Sequence, residues 1–212
     1  MRIYALDLGQ LTQSQWEACM ETLPEERRNR AKRCRQAEER IRIIGAGWLL
    51  QYGLEQEGIP GEEQSFCKNE YGKPELSGRQ VQFSLSHGGN WAVCAVGNTS
   101  LGVDVERPRC SLAVADRYFP KEEVERVRNL PPEEQKWELC RLWTAREAFL
   151  KALGCGLTVP MNSFGVELSA EGAQLQQKLS PQKFLFHEYL LPDSRICLCT
   201  TEPRPELEYV KI

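Results

Sequence analysis

Histidine is almost missing from this chain: His87 and His187 are the only two in 212 residues. A site built on clustered imidazoles therefore has little to work with. A serine hydrolase also lacks its context, because Ser86 and His87 are adjacent and no G-x-S-x-G elbow occurs. There is no basic excess. Lys and Arg number 27 against 30 Asp and Glu, a net charge of −3, which argues against a nucleic-acid binder. No apolar run approaches the length of a membrane span, and the opening MRIYALDLG alternates like a strand rather than forming the apolar segment of a signal peptide. No C-x-x-C occurs among the nine cysteines, and the closest pair, Cys197 and Cys199, falls on one face of a strand rather than in a zinc knuckle. The odd count, and apolar neighbours such as those of Cys94 and Cys140, point to reduced thiols packed as small hydrophobes. The expectation is a cytoplasmic protein without a nucleic-acid or membrane partner.

The hydrophobic fraction of 41% is enough for a real core, in one domain or in two small fused halves. Residues 2–8 read as a strand, and Thr12 and Ser14 offer caps for a short helix through Trp16. A basic stretch, Glu25 to Arg42, runs into Ile43–Leu54, which has helical apolar spacing. Loop residues 59–80 precede three strand candidates, Val81–Ser86, Trp91–Val96 and Leu101–Glu106, separated by glycine turns. Helices are expected at Leu112–Tyr118, Lys121–Leu130 and Glu133–Leu153, the last closing at Gly154. Strands follow over residues 163–200, and the ending with Pro203 and Pro205 reads as peripheral. Strands interrupted by helices without strict alternation give an α+β class. Arg40–Leu54 and Arg141–Leu153, both aliphatic helices with basic residues, hint at duplication into halves 1–100 and 101–212.

Within Leu101-Gly-Val-Asp-Val-Glu106, Leu101, Val103 and Val105 share one face and Gly102, Asp104 and Glu106 the other. Two carboxylates one pleat apart repel, and acidic residues are poor strand formers. A hard divalent cation would remove the repulsion, with Gly102 leaving room for a ligand. A solvated strand edge is the plain alternative. On a helical wheel, Glu147 and Lys151 lie beside an arc of Leu139, Leu142, Phe149, Leu150 and Leu153. They read as an ordinary i,i+4 pair, whereas Arg146 falls inside the apolar arc and must snorkel or meet a carboxylate or an anion. Phe83-Ser-Leu-Ser-His87-Gly-Gly ends a strand where backbone N–H groups and an imidazole can meet a phosphate. Gly72-Lys73-Pro74 is a turn expected to present Lys73 outward. His187 reads as an incidental strand residue.

Taken in order, Gly72-Lys-Pro, Phe83-Ser-Leu-Ser-His87, Gly102-Val-Asp104-Val-Glu106 and Trp143-Thr-Ala-Arg-Glu147-Ala-Phe-Leu-Lys151 resemble the signature set of the larger, Sfp-type 4′-phosphopantetheinyl transferases. The resemblance covers roughly residues 1–166. It implies two similar α+β halves related by a pseudo-twofold in a single, monomeric chain, with coenzyme A in the cleft between them. It also implies transfer of the phosphopantetheine arm of coenzyme A to a serine of an apo acyl or peptidyl carrier protein, with release of adenosine 3′,5′-bisphosphate. By family role Asp104, Glu106 and Glu147 hold Mg²⁺, Glu147 takes the serine proton, and Lys151 serves the leaving phosphate. Lys73, Ser86 and His87 contact coenzyme A. Arg146 stands where the family usually has lysine. Glu26 and Asn29 stand at N-terminal positions where members can carry basic residues for the 3′-phosphate, so that task falls to Arg40 or Arg42. The rival readings are a Mg²⁺-dependent hydrolase of a nucleotide diphosphate and a non-catalytic coenzyme A binder.

Overall fold

A computed structural model describes the whole chain, Met1–Ile212, apart from the side chain of Leu157. The first half runs β1 (Arg2–Asp7), α1 (Gln13–Thr22), α2 (Glu25–Arg33), α3 (Ala37–Gln56), a small hairpin of β2 (Phe66–Lys68) and β3 (Pro74–Leu76), then β4 (Gln82–Gly88) and β5 (Trp91–Gly97). The second half repeats that path with β6 (Leu101–Glu106), α4 (Leu112–Tyr118), α5 (Lys121–Arg128), α6 (Pro132–Leu153), a hairpin of β7 (Gly165–Ser169) and β8 (Gly172–Gln176), then β9 (Leu185–Leu190) and β10 (Arg195–Thr200). A last strand, β11 (Leu207–Val210), follows. In both halves the opening strand takes the last strand as its antiparallel neighbour, giving β1-β5-β4 and β6-β10-β9. The class is α+β, and the duplication hinted at by two helices extends to every strand and α-helix before β11.

Alternation along the strands builds the layers. Tyr4 and Leu6 face α3, with Leu49, Leu50 and Leu54. Cys197 and Cys199 face α6, with Leu142, Phe149 and Leu150. Between the two sheets lie Ile3, Ala5, Val93, Val103, Val105, Ile196 and Leu198. The layer order is helix, sheet, sheet, helix. Thr12 and Gln15 form a reciprocal capping box at α1, and Gly154, at φ 72°, ends α6 in the left-handed conformation that glycine adopts without strain. All nine thiols are free, and six are buried.

Three expectations need correction. Gly102 does not make room for a ligand. A Cβ there would lie 2.1 Å from Ala148 O and 2.4 Å from Ala152 N, so the glycine lets α6 sit directly on β6. The chain's ending is not loose either: β11 pairs in parallel with β1, Ile3 opposite Leu207, and covers an edge that would otherwise be unpaired. Lys73 does not point outward, as described below. Arg146, left open between three fates, meets a carboxylate. It is fully buried, its Nη2 lies 2.5 Å from Glu123 Oε2, and its guanidinium packs 4.5 Å from the Phe119 ring.

Candidate active site

Edge strands β4 and β6 come side by side, joined through side chains rather than a backbone ladder. Ser84 Oγ accepts from Val103 N at 3.0 Å, and Ser86 Oγ donates to Asp104 Oδ1 at 2.7 Å. Gly88 permits the approach, since a Cβ there would fall 2.3 Å from Val105 O. The serines do this because Phe83 and Leu85 take the opposite face of β4, toward α3.

Asp104 is the hub. It is 4% exposed, and its Oδ1 also accepts from Lys151 Nζ at 2.7 Å. Lys151 donates in addition to Val103 O at 3.0 Å. Asp104 Oδ2, by contrast, is buried with no hydrogen-bond partner. Such an atom is costly to leave unmet. Glu106 ends the strand. Burial, and then the charge of Asp104, push its carboxyl up to about 7. Glu147, one turn before Lys151 on α6, is raised in the same way, by burial first and then by Asp104. The three carboxylates thus sense one another, with Lys151 offsetting part of the repulsion.

Among the described residues no three Asp, Glu, His or Cys side chains converge as a complete metal cage. Mg²⁺ does not ask for one, since it keeps waters and takes substrate phosphates beside one or two carboxylates. The orphaned Asp104 Oδ2, with the Glu106 and Glu147 carboxyls raised by burial and by the charge of Asp104, suits an ion held in that way.

Around this hub the expected anion contacts separate. His87 closes β4 with Nε2 3.8 Å from Glu39 Oε1, and burial depresses its basicity. Arg42 reaches the same corner, donating to Gly89 O at 3.1 Å and pairing with Glu38 and Glu39. Arg40 does not join them. It is exposed and lines a separate groove with Trp16 and Ile44 between α1 and α3. The Lys73 ammonium folds inward, donating to Lys151 O at 2.8 Å and to Leu101 O at 3.4 Å, and burial lowers its pKa. His187 is remote from the cluster and holds Glu202 O.

Two further cavities lie on the molecule, one against α2 and one beside the cluster. A groove of about 540 Å³ between α2 and the β2–β3 turn is lined by Arg27, Arg30, Lys68, Gly72, Pro74 and Phe83. Burial and the neighbouring Arg30 lower the pKa of Arg27, and its side chain fits only because Gly47 has no Cβ to meet it. Arg27 and Arg30 were hidden in a run of seven arginines. A break in the helix at Cys34–Gln36 changes which of them share a face. The second cavity, about 200 Å³, opens beside Glu106 and is lined by Arg107, Arg109, Cys110, Val114, Cys140 and Trp143.

Comparison with known proteins finds relatives of the whole chain. Residues 100–199, which hold β6 and α6, match the 4′-phosphopantetheinyl transferase superfamily. Over its full length the chain is 30% identical to the 4′-phosphopantetheinyl transferase psf-1 of Bacillus pumilus, covering 94% of that protein. It is 29% identical to the 4′-phosphopantetheinyl transferase Sfp of Bacillus subtilis strain 168, over 96% of this chain and 93% of that one. A further 4′-phosphopantetheinyl transferase of Bacillus subtilis is 30% identical over 81% of this chain and 79% of its own length. With identity of this level across both halves, the chain belongs to the 4′-phosphopantetheinyl transferase superfamily.

Proposed function

We propose that this chain transfers the 4′-phosphopantetheine arm of coenzyme A to a serine hydroxyl of an apo carrier protein. The serine oxygen forms a bond to the β-phosphorus, the bond from that phosphorus to the bridging oxygen breaks, and adenosine 3′,5′-bisphosphate leaves. The observation that carries the reading is the Asp104 carboxylate, which meets Ser86 and Lys151 on one oxygen and nothing on the other.

Asp104, Glu106 and Glu147 would hold Mg²⁺, which neutralises diphosphate charge when bound. Glu147, with its pKa raised by burial and Asp104, is the better proton acceptor for the serine hydroxyl. Lys151 supplies positive charge and a proton to the departing phosphate oxygen. Ser86 and His87 contact the diphosphate, and Arg42 holds the turn beside them through Gly89 O. The groove of Arg27, Arg30 and Lys68 takes the anionic nucleotide end, a role its lining supports better than Arg40, which faces elsewhere. Lys73 acts on the protein itself, through Lys151 O. The carrier approaches over α4, where Val114 and Tyr118 stand exposed beside the Glu106 cavity. Nine free thiols support a cytoplasmic setting, and two halves completing one cleft support a monomer.

Incubation with coenzyme A, Mg²⁺ and several apo carriers, followed by intact mass of each carrier, tests this. Phosphopantetheine on a carrier serine is expected. Free phosphopantetheine with unmodified carriers would instead establish a hydrolase.

A further inference from the structure

The turn between β2 and β3 faces two ways. Lys68, Gly72 and Pro74 line the arginine groove on one side. On the other, the turn grips the end of α6 in the opposite half of the molecule. The C-terminal end of a helix leaves carbonyls without intrahelical partners. Here Asn69 Nδ2 donates to Gly154 O at 2.9 Å, and Lys73 Nζ donates to Lys151 O at 2.8 Å. Asn69 also organises the turn itself, its Oδ1 accepting from Tyr71 N at 3.0 Å and Lys73 N at 2.9 Å. One amide therefore shapes the loop with its oxygen and ties it to α6 with its nitrogen. The fit is close, since a Cβ on Gly154 would lie 3.1 Å from Asn69 Nδ2.

We infer that Asn69 is a positioning residue for Lys151, pinning the last turn of α6 to the groove wall so that the ammonium is held on Asp104. The catalytic consequence rests on the transferase reading; the mechanical tie does not.

Asn69→Asp separates the two tasks of the side chain. It keeps an oxygen to accept from Tyr71 and Lys73 but loses the donor to Gly154 O. A residue that only shapes its own turn would tolerate the change. The expected result in the full chain is amide exchange over residues 150–155 faster by about tenfold, with the rest of the protein unchanged. In carrier modification, kcat falls on the order of tenfold while the KM for coenzyme A stays within about twofold. In a Lys151→Ala background the same substitution costs nothing further. Wild-type exchange at the end of α6 in Asn69→Asp overturns the inference, as does an undiminished extra loss on top of Lys151→Ala. If the wild-type protein modifies no carrier, the transferase reading fails, and the exchange measurement still decides the tie.

Discussion

Replacing Glu123 with glutamine would leave the Arg146 guanidinium in the core with its charge unmatched. Arg146 is fully buried and donates to Glu123 Oε2 at 2.5 Å, to Met161 O at 3.2 Å and to Leu142 O at 3.4 Å. Glu123 is committed on its other oxygen, which accepts from Val166 N at 2.9 Å. A glutamine has one acceptor and one donor, so its amide N–H₂ must confront either the guanidinium or the Val166 N–H. Breaking a buried pair from one side costs about 3–5 kcal/mol. With a urea slope of about 2 kcal/mol/M, the unfolding midpoint should fall by roughly 1.5–2.5 M. Tryptophan fluorescence reads this directly, because Trp143 lies 6.1 Å from Phe119, the ring under Arg146. The double replacement Glu123→Leu with Arg146→Met should recover part of the loss, since an apolar pair can replace a buried ion pair but leaves Val166 N without its acceptor. A midpoint shift in Glu123→Gln below about 0.5 M would refute the idea that this pair carries a desolvated charge.

The other predictions concern the hub. Asp104→Ala and Glu147→Ala should each abolish carrier modification with far-ultraviolet circular dichroism unchanged, and near-normal turnover in either would remove it from the machinery. Lys151→Ala should lower kcat more than it raises the KM for coenzyme A; a raised KM with unchanged kcat would contradict a role at the leaving phosphate. Burial, and then the charge of Asp104, push the Glu106 carboxyl up to about 7 on folding. A carboxyl raised on folding weakens the folded state as pH climbs from its ordinary range through that value. Without divalent ions, Glu106→Gln should therefore gain in melting temperature over the wild type between pH 5 and pH 8. A gain by the wild type over that interval would reverse the sign and reject the assignment.

Local pattern made much of this legible. The period-two run Leu101–Glu106 put Asp104 and Glu106 on one face, and α6 follows the helical spacing that set Glu147 beside Lys151. What local pattern withheld was partnership across the chain. Nothing near Gly102 in sequence announces that Ala148 and Ala152 press against it and leave no room for a ligand. The inward course of Lys73 is equally silent in sequence, because its acceptors, Leu101 O and Lys151 O, lie 28 and 78 residues away. Arg146 declared only that it needed a partner; Glu123, on another helix, supplied one. The arginines of α2 and α3 show the same limit, since a run of like charges does not say which members share a groove once a helix breaks at Cys34.

A duplicated fold with a pseudo-twofold offers two equivalent seams. In one, β4 lies against β6, and the Asp104 cluster sits there. Its symmetry mate would bring β9 toward the free edge of β1. The chain's own tail occupies that place: His187 takes Glu202 O, Tyr189 Oη donates to Pro205 O, Arg204 donates to Glu188 O, and β11 then hydrogen-bonds along β1. Residues after Thr200 thus act as a stopper, closing the mirror seam with backbone from the same molecule. The fold has the geometry of a dimer with a single open door, since the chain's own backbone bars the other.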